Sequence, residues 1–569
     1  MTTLVQRMRR NAWLLAVTCL VTGFALTSSR PAWAQDPSGS KTGVAADAQG
    51  AGGAVVPSEP TDKSAPDYAD KLKSYTEFQE GMKNPATAAA LESSGQNRIA
   101  INMVWMLVCG FMVMFMQAGF AMVEAGFCRK KHAAHVMMTN FMIYPIGMLG
   151  FYICGFALMF GAVGALGSIG GTSPLTTGTE LGFPVNGVNM GLIAWNPSAF
   201  FLQKGTYDVG VFAFFLFQMV FMDTTCTIPT GAMAERWKYS AFVVYGFFIS
   251  TIIYPIFGNW VWGGGWLAML GQAFHLGNGT ADFAGSSVVH MVGGFVGLAG
   301  ALVLGPRLGK FNRDGSPNVM PAHNLPMALV GTFILAFGWF GFNPGSMLAA
   351  SGGGSLRIGI VAVATMLASA TGAMSAMLYM WARYKKPDPS MCVNGMLAGL
   401  VAITAPSGWV DSMGACIIGA VAGILVCIAV TTMEKMGVDD PVGAFSVHGI
   451  CGAWGVISVG LFADGTFGGG LNGVSTNVTG LFYGGGAGQL MAQLIAVGVC
   501  AIWSFGMGFA FFKVQDKVMG IRSSKEDELA GLDVPEMGVE AYPEDHVAHG
   551  MGGSAIPTGV PVGAMAVEG

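Results

Sequence analysis

The chain has 569 residues, of which 28 are Lys or Arg and 32 are Asp or Glu, for a formal net charge of -4. Hydrophobic residues make up 53% and charged residues 11%, where an ordinary soluble protein carries about 25% charged residues. These figures exclude a disordered chain, a basic nucleic-acid binder and a disulfide-rich secreted scaffold, and leave a polytopic membrane protein.

The N-terminus reads as a secretory signal peptide over residues 1–34. It has a basic start (Arg7, Arg9, Arg10), an apolar run from Trp13 to Leu26 and a small-x-small site at Ala32-Trp33-Ala34. Residues 35–99 are polar, too poor in large apolar side chains to bury a core, and read as a largely flexible extension with a short helix around 66–82. From 100 to 512 the pattern predicts eleven apolar segments long enough to cross a bilayer. Their limits are 101–127, 133–161, 208–233, 239–257, 284–306, 323–342, 357–382, 391–407, 410–433, 442–462 and 484–512, the eighth being short. Residues 513–569 form a polar tail. The ten cysteines lie in or beside apolar runs without a CxxC or Cys/His cluster, so neither a metal site nor a disulfide framework is indicated.

Loop charges orient these segments. Alternate connections carry Arg129, Lys130 and Lys131; Arg236 and Lys238; Arg307, Lys310 and Arg313; Arg383, Lys385 and Lys386; then Lys435, 12 basic residues in five loops. The intervening connections hold only Lys204 and Arg357. The positive-inside rule makes the first set cytoplasmic, which puts the mature N-terminus outside, as the signal peptide requires, and the tail inside.

Two segments repeat one another: Asp282 to His290 (DFAGSSVVH) and Asp440 to His448 (DPVGAFSVH). Both read Asp-x7-His, and they open the fifth and tenth spans. Five is odd, so the copies traverse the membrane in opposite senses, the pattern of an inverted repeat with one extra helix. At 1.5 Å per residue each His lies about 12 Å from its Asp. In a core about 30 Å thick, both imidazoles therefore approach the midplane from opposite sides. A single His in an apolar helix is more often a packing residue; a pair at one level favours function.

With these elements in place, residues 101–542 resemble the ammonium transporter (Amt/Mep/Rh) family, most closely its bacterial Amt type. The resemblance rests on Ala-Glu-Arg at 234–236, Trp262-Gly-Gly-Gly265, Asp282-Phe-Ala-Gly285 with His290, and His323-Asn-Leu-Pro326. It rests also on Gly338 to Asn343 (GWFGFN) with Gly345-Ser346, Asn394-Gly with Leu397 to Ala405, and His448 to Gly452. It implies an all-α fold of eleven transmembrane helices in a 5+5 inverted repeat, assembled as a homotrimer among membrane lipids in a bacterial inner membrane. The implied substrate is ammonium or methylammonium, with no cofactor, metal or nucleic acid. Phe221, Trp262 and Ser346 then match an outer recognition site, Phe221 and Phe342 a stacked aromatic gate, His290 and His448 the paired pore histidines, and Asp282 an acidic residue near the mouth. Its repeat counterpart, Asp440, is expected to cap the tenth span.

These residue types suit the chemistry. Ammonium and potassium share charge and size, so selection needs aromatic faces for a partly desolvated cation and an oxygen that accepts an N–H bond potassium cannot offer. An apolar conduit favours the neutral partner of the ammonium/ammonia pair, and paired imidazoles can accept and relay the proton. Outside the motif context the three aromatics read as packing or lipid-facing residues. For Asp282 a structural role at a helix start is preferred to direct cation ligation. Asp223, inside the third span beside Phe221, departs from the family pattern and is expected to make an interhelical polar contact. Glu124 is expected to cap its helix or pair with the basic loop. The stretch 520–542 resembles the family's cytoplasmic segment that couples subunits and can meet PII-type regulatory proteins, although Met537 and Val539 stand where His and Glu are more typical. The main alternative function is an ammonium sensor of the same fold. A gas channel of Rh type is disfavoured by Trp262 and Ser346, and a membrane metalloenzyme by the absence of HExxH.

Overall fold

In the computed structural model the described residues are 59–60, 68–163, 178–203, 209–351, 353–466, 474 and 476–543. The proposed signal peptide and the start of the polar extension lie outside them, as does the tail beyond 543. Among the described residues, ten helices are long and apolar enough to cross a membrane. After a polar helix α1 (Tyr68–Met82), they are α2 (Pro85–Phe127), α3 (Lys130–Phe160), α4 (Gly210–Met233), α5 (Tyr239–Trp262), α6 (Ser286–Leu304), α7 (Leu325–Met347) and α8 (Arg357–Tyr384). A shorter apolar helix, α9 (Pro389–Thr404), precedes α10 (Ser412–Lys435), α11 (Phe445–Phe462) and α12 (Gly488–Met519). At 16 residues α9 is the short eighth segment of the sequence pattern.

Helix α2 starts well before its apolar run, because Asn84 accepts the Ala86 N–H (3.0 Å) and Pro85 occupies the first turn without needing an N–H partner. A two-stranded antiparallel hairpin, β1 (Thr179–Val185) and β2 (Val188–Trp195), occupies the connection between α3 and α4, where the sequence pattern marked only a loop. It is seated on the end of α5: Trp260 Nε1 donates to the Leu192 carbonyl (2.8 Å), and Asn259 Nδ2 donates to Glu180 Oε2 (3.0 Å).

The other end of the bundle carries the basic loops, and a buried ion cluster ties them together. Glu235 accepts from Arg129 Nε (2.5 Å) and from Arg307 Nη1 (2.9 Å), while Arg307 forks onto both oxygens of Asp439. Burial works to raise the Glu235 and Asp439 carboxyls, yet the surrounding arginines hold both below the usual carboxylate range. The tail packs here on its own chain. Arg522 pairs with Glu528 (2.7 Å) on the short helix α13 (Lys525–Ala530), the Leu532 N–H donates to His132 Nδ1 (3.2 Å), and Asp533 accepts the His135 N–H (2.9 Å).

Candidate functional site

Each half of the repeat builds the same local device. Asp282 and Asp440 are each followed three residues later by a glycine with positive φ, Gly285 at 112° and Gly443 at 75°, a backbone state that a side chain would strain. The Asp282 carboxylate accepts the N–H groups of Gly285 (2.8 Å), Ser286 (2.9 Å), Ser287 (2.7 Å) and Val288 (3.1 Å), and the Ser287 hydroxyl (2.5 Å). Asp440 accepts those of Ala444 (2.9 Å) and Phe445 (2.8 Å). In both copies the helix then opens with a widened π-turn, Ser286–Met291 and Phe445–Ile450, and each π-turn contains the histidine. Such turns shift the register of the side chains that follow, and they occur mostly where a residue is being aimed.

The aim is mutual. His290 Nδ1 and His448 Nδ1 are 3.1 Å apart, with ring centroids 5.2 Å apart and planes 25° from parallel. Both rings are buried. Bare backbone permits the approach: a Cβ on Gly294 would collide with the backbone of Gly449. Because the contact joins like nitrogens, one Nδ1 carries the hydrogen and the other accepts it, so the pair holds opposite tautomers.

A file of rings leads to this pair. Trp262 meets Phe221 edge to face (6.2 Å), Phe221 stacks on Phe342 (4.1 Å, 27°), and Phe342 stacks on His290 (5.5 Å, 26°). Trp262 is fixed by its Nε1, which donates to the Asp282 carbonyl (2.7 Å). Ser346 Oγ donates to the Phe342 carbonyl (2.7 Å), so its lone pairs remain for an incoming donor. The residues singled out from sequence are thus gathered in one row: Trp262 and Phe221 from α5 and α4, Phe342 and Ser346 from α7, and the histidines from α6 and α11. The stacked Phe221–Phe342 pair separates the Trp262 end from the histidines.

The structure adds one member and moves two others. Trp339 stacks on His290 (5.3 Å, 18°), with its Nε1 donating to Thr404 Oγ1 (2.9 Å); it lies in the Gly338 to Asn343 stretch, but a four-residue helical spacing from Asn343 gives no hint of its role. The Asp223 carboxylate is buried and makes no hydrogen bond with the described residues, so the expected interhelical polar contact is not formed. Glu124 neither caps its helix nor pairs with the basic loop. It bonds sideways inside the bundle, to Asn140 Nδ2 (2.7 Å) and Thr230 Oγ1 (2.8 Å), because Glu235 already occupies the arginines of that loop. No group of three or more His, Cys, Asp or Glu residues able to hold a metal occurs among the described residues.

Comparison with known proteins gives a consistent answer. Residues 104–542 match the model of the Ammonium Transporter Family. The chain is 47% identical over 450 residues to the ammonium transporter Amt2 of Archaeoglobus fulgidus, covering 78% of this chain and 89% of that one. It is 38% identical over 456 residues to the ammonium transporter Amt1 of Haloferax mediterranei, covering 78% and 80%. Among solved structures, a protein described as a "Sensor Amt Protein" superposes with a TM-score of 0.64 at 37% identity, over 77% of this chain and 98% of that one. Candida albicans Mep2 superposes with a TM-score of 0.62 at 28% identity, over 75% and 87%.

Proposed function

The chain belongs to the Ammonium Transporter Family, and on that premise we propose that it recognises ammonium at Phe221, Trp262 and Ser346, strips its proton at the Phe221–Phe342 stack and passes ammonia along His290 and His448. It is a membrane transport protein and not an enzyme. The observation that carries the residue assignments is the unbroken row of rings from Trp262 to the Nδ1–Nδ1 contact.

The chemistry follows from what the row offers. At its first end two aromatic rings and a hydroxyl oxygen with free lone pairs face the substrate. Ring faces attract a small cation once it sheds part of its hydration, and the Ser346 oxygen can take an N–H bond from ammonium. The stacked phenyl rings then offer no polar group to a hydrated ion, so a charge passing between them would go unsolvated, whereas ammonia loses little. Leaving the proton behind is the cheaper course. The histidines supply the next polar atoms, one nitrogen able to accept and its partner able to donate. Asp282 does not face the substrate in this reading. Its oxygens are taken by the turn that begins α6, and it acts by setting the register of His290 and by holding Trp262 through its carbonyl.

Orientation comes from charge: Arg129, Lys130, Lys131, Arg236, Lys238, Arg307 and Lys310 gather at the end of the bundle away from the hairpin, which the positive-inside rule makes cytoplasmic. The Trp262 end then faces outside, in keeping with the signal-peptide reading of residues 1–34 and with a location in a bacterial inner membrane. In this reading α9 joins the ten long apolar helices of the described residues as the eleventh member of a 5+5 repeat plus one. Assembly as a homotrimer, a lipid surround and docking of a PII-type protein on the packed tail complete the reading.

Solid-supported-membrane recording on proteoliposomes tests it. Ammonium and methylammonium pulses are expected to evoke a charge signal that potassium pulses do not, which also separates a transporter from a sensor. A double His290→Ala, His448→Ala protein that is folded and still gives an undiminished ammonium signal would refute the assigned route.

A further inference from the structure

Beyond the histidines, the structure continues in a way the ring file does not require. His448 lies 6.2 Å from the ring of Phe120 and lines a cavity with an empty volume of about 360 Å³, counting the part open to solvent. Its wall is mostly apolar (Val123, Ile228 and Leu335 among others), and three polar side chains interrupt it: His448, Asn394 and Glu124. Asn394 is 4% exposed, lies beside Gly443 and turns its side chain to the cavity, with no hydrogen bond to another described residue. An amide turned to such a cavity offers a donor and an acceptor to whatever small polar molecule enters it.

Glu124 is 3% exposed, with no basic side chain bonded to it. Its hydrogen-bond setting accommodates a protonated carboxyl. Thr230 Oγ1 lies 2.5 Å from the Thr227 carbonyl oxygen, 2.9 Å from Glu124 Oε1 and 2.8 Å from Glu124 Oε2. The hydroxyl owns one hydrogen and faces three acceptors. When the shortest contact takes that hydrogen, a proton on Glu124 donated to Thr230 Oγ1 satisfies the remaining contact, while the Gly231 N–H faces the carboxyl as a further donor. Asn140 Nδ2 then donates to Glu124 Oε2 (2.7 Å). The other ionisable groups near Glu124 are His448, across the cavity, the Cys128 thiol, the Tyr245 phenol, whose hydroxyl donates to the Cys226 carbonyl, and Asp440, whose oxygens are engaged by the N–H groups of Ala444 and Phe445.

From these observations we infer that Glu124 is the proton donor at the inner end of the conduit, where it returns a proton to ammonia held in the cavity against Asn394. The inference rests on the transport route proposed above and extends it to the exit. The step balances within the protein. The nitrogen lone pair of ammonia takes the carboxyl hydrogen, the O–H bond breaks, an N–H bond forms, and the leaving ammonium separates from a Glu124 carboxylate. That carboxylate is recharged by the proton that entering ammonium left on the histidine pair, delivered across the cavity from His448. One ammonium enters, one leaves, and Glu124 and the imidazoles end as they began. A residue of this kind must be an acid, must be shielded from bulk water and must share a space with both the substrate and the relay. Glu124 meets all three conditions.

The test uses the full-length protein in proteoliposomes, with Glu124→Gln and Thr230→Val as separate variants. Glu124→Gln keeps the shape and a donor for Thr230 but removes the transferable proton. The ammonium-evoked charge signal is expected to decay more slowly by about tenfold or more, within the range a positioned acid contributes, with the ammonium concentration for half-maximal response unchanged. Infrared spectra should show a neutral carboxyl band in the wild type that ammonium perturbs and that Glu124→Gln lacks. Thr230→Val, which keeps the acid and removes its acceptor, should shift that band and slow the signal. A folded Glu124→Gln protein with wild-type signal kinetics, or spectra with no neutral carboxyl band lost on substitution, would overturn the inference. If the double histidine variant is silent while Glu124→Gln is unimpaired, this inference alone falls; if the double histidine variant is unimpaired, the route it rests on falls.

Discussion

Asp282→Asn is the sharpest test of how the pore histidines are held. In the native turn one carboxylate oxygen accepts the N–H groups of Gly285 and Ser286, and the other accepts those of Ser287 and Val288 together with the Ser287 hydroxyl. An asparagine amide has one acceptor oxygen and one NH2 group. Whichever way it is turned, two backbone N–H groups then point at hydrogens in a buried site. Leaving a buried donor unsatisfied costs about 1–3 kcal/mol, so two cost roughly 2–6 kcal/mol. That strain falls on the turn that sets the register of His290, eight residues on, and the carbonyl that anchors Trp262. Thermal unfolding of the purified variant should show a clear fall in midpoint, and ammonium-evoked currents should drop together with it. A variant that unfolds at the wild-type temperature with wild-type currents would refute the claim that this carboxylate organises the pore. One that is stable but silent would move Asp282 from a positioning role to direct contact with substrate.

Two further predictions concern charge outside the spans. Arg307→Met leaves Glu235 and Asp439 buried without their shared cation and should destabilise the protein by about 3–5 kcal/mol near neutral pH, read by thermal unfolding. Since the native carboxyls titrate below their usual range, the stability they contribute is present above about pH 4 and is lost as pH falls further, so the variant should show a weaker acid-side decline than the wild type. At the opposite end, burial pushes the Glu180 carboxyl up to about 7, with the Asn259 bond opposing the shift. A raised acid favours the folded state while protonated, so stability should fall as pH rises from about 4.3 toward 7. Glu180→Gln should therefore unfold at a higher temperature than the wild type at about pH 8, with the gap closing as pH falls below about 4.3; a gap independent of pH would show that Glu180 does not titrate in the hairpin.

The course of the chain through the membrane is largely legible in the sequence because bilayer solvation acts on runs of twenty residues, and a run averages out local detail. The meeting of His290 with His448 is legible for a different reason: the Asp-x7-His spacing repeats, and two equal rises from opposite faces reach one level. What the spacing cannot reveal is the π-turn in each copy, since a widened turn leaves no periodicity of its own over six residues. The hairpin of β1 and β2 was hidden by its short length and by exposed apolar residues such as Phe183 and Trp195, which alternate weakly. For Glu124, proximity in sequence to Arg129 suggests a pair that the fold does not make. The arginine goes instead to Glu235, 106 residues away, a partner that only the folded chain identifies. A carboxylate directly before Arg236, at the end of a span, was the available signal.

The like-to-like nitrogen contact between the two imidazoles has a consequence for vectorial movement. A hydrogen shared between equivalent atoms of equivalent rings sits in a nearly balanced double well, so the couple has no built-in preference for handing it one way or the other. Any rectification must be imposed from its unlike neighbours: benzene and indole faces on one flank, an acid and an amide on the other. Read this way, the midpoint works as a neutral pivot, and exchanging the groups on its flanks is the direct means of changing which way the load travels.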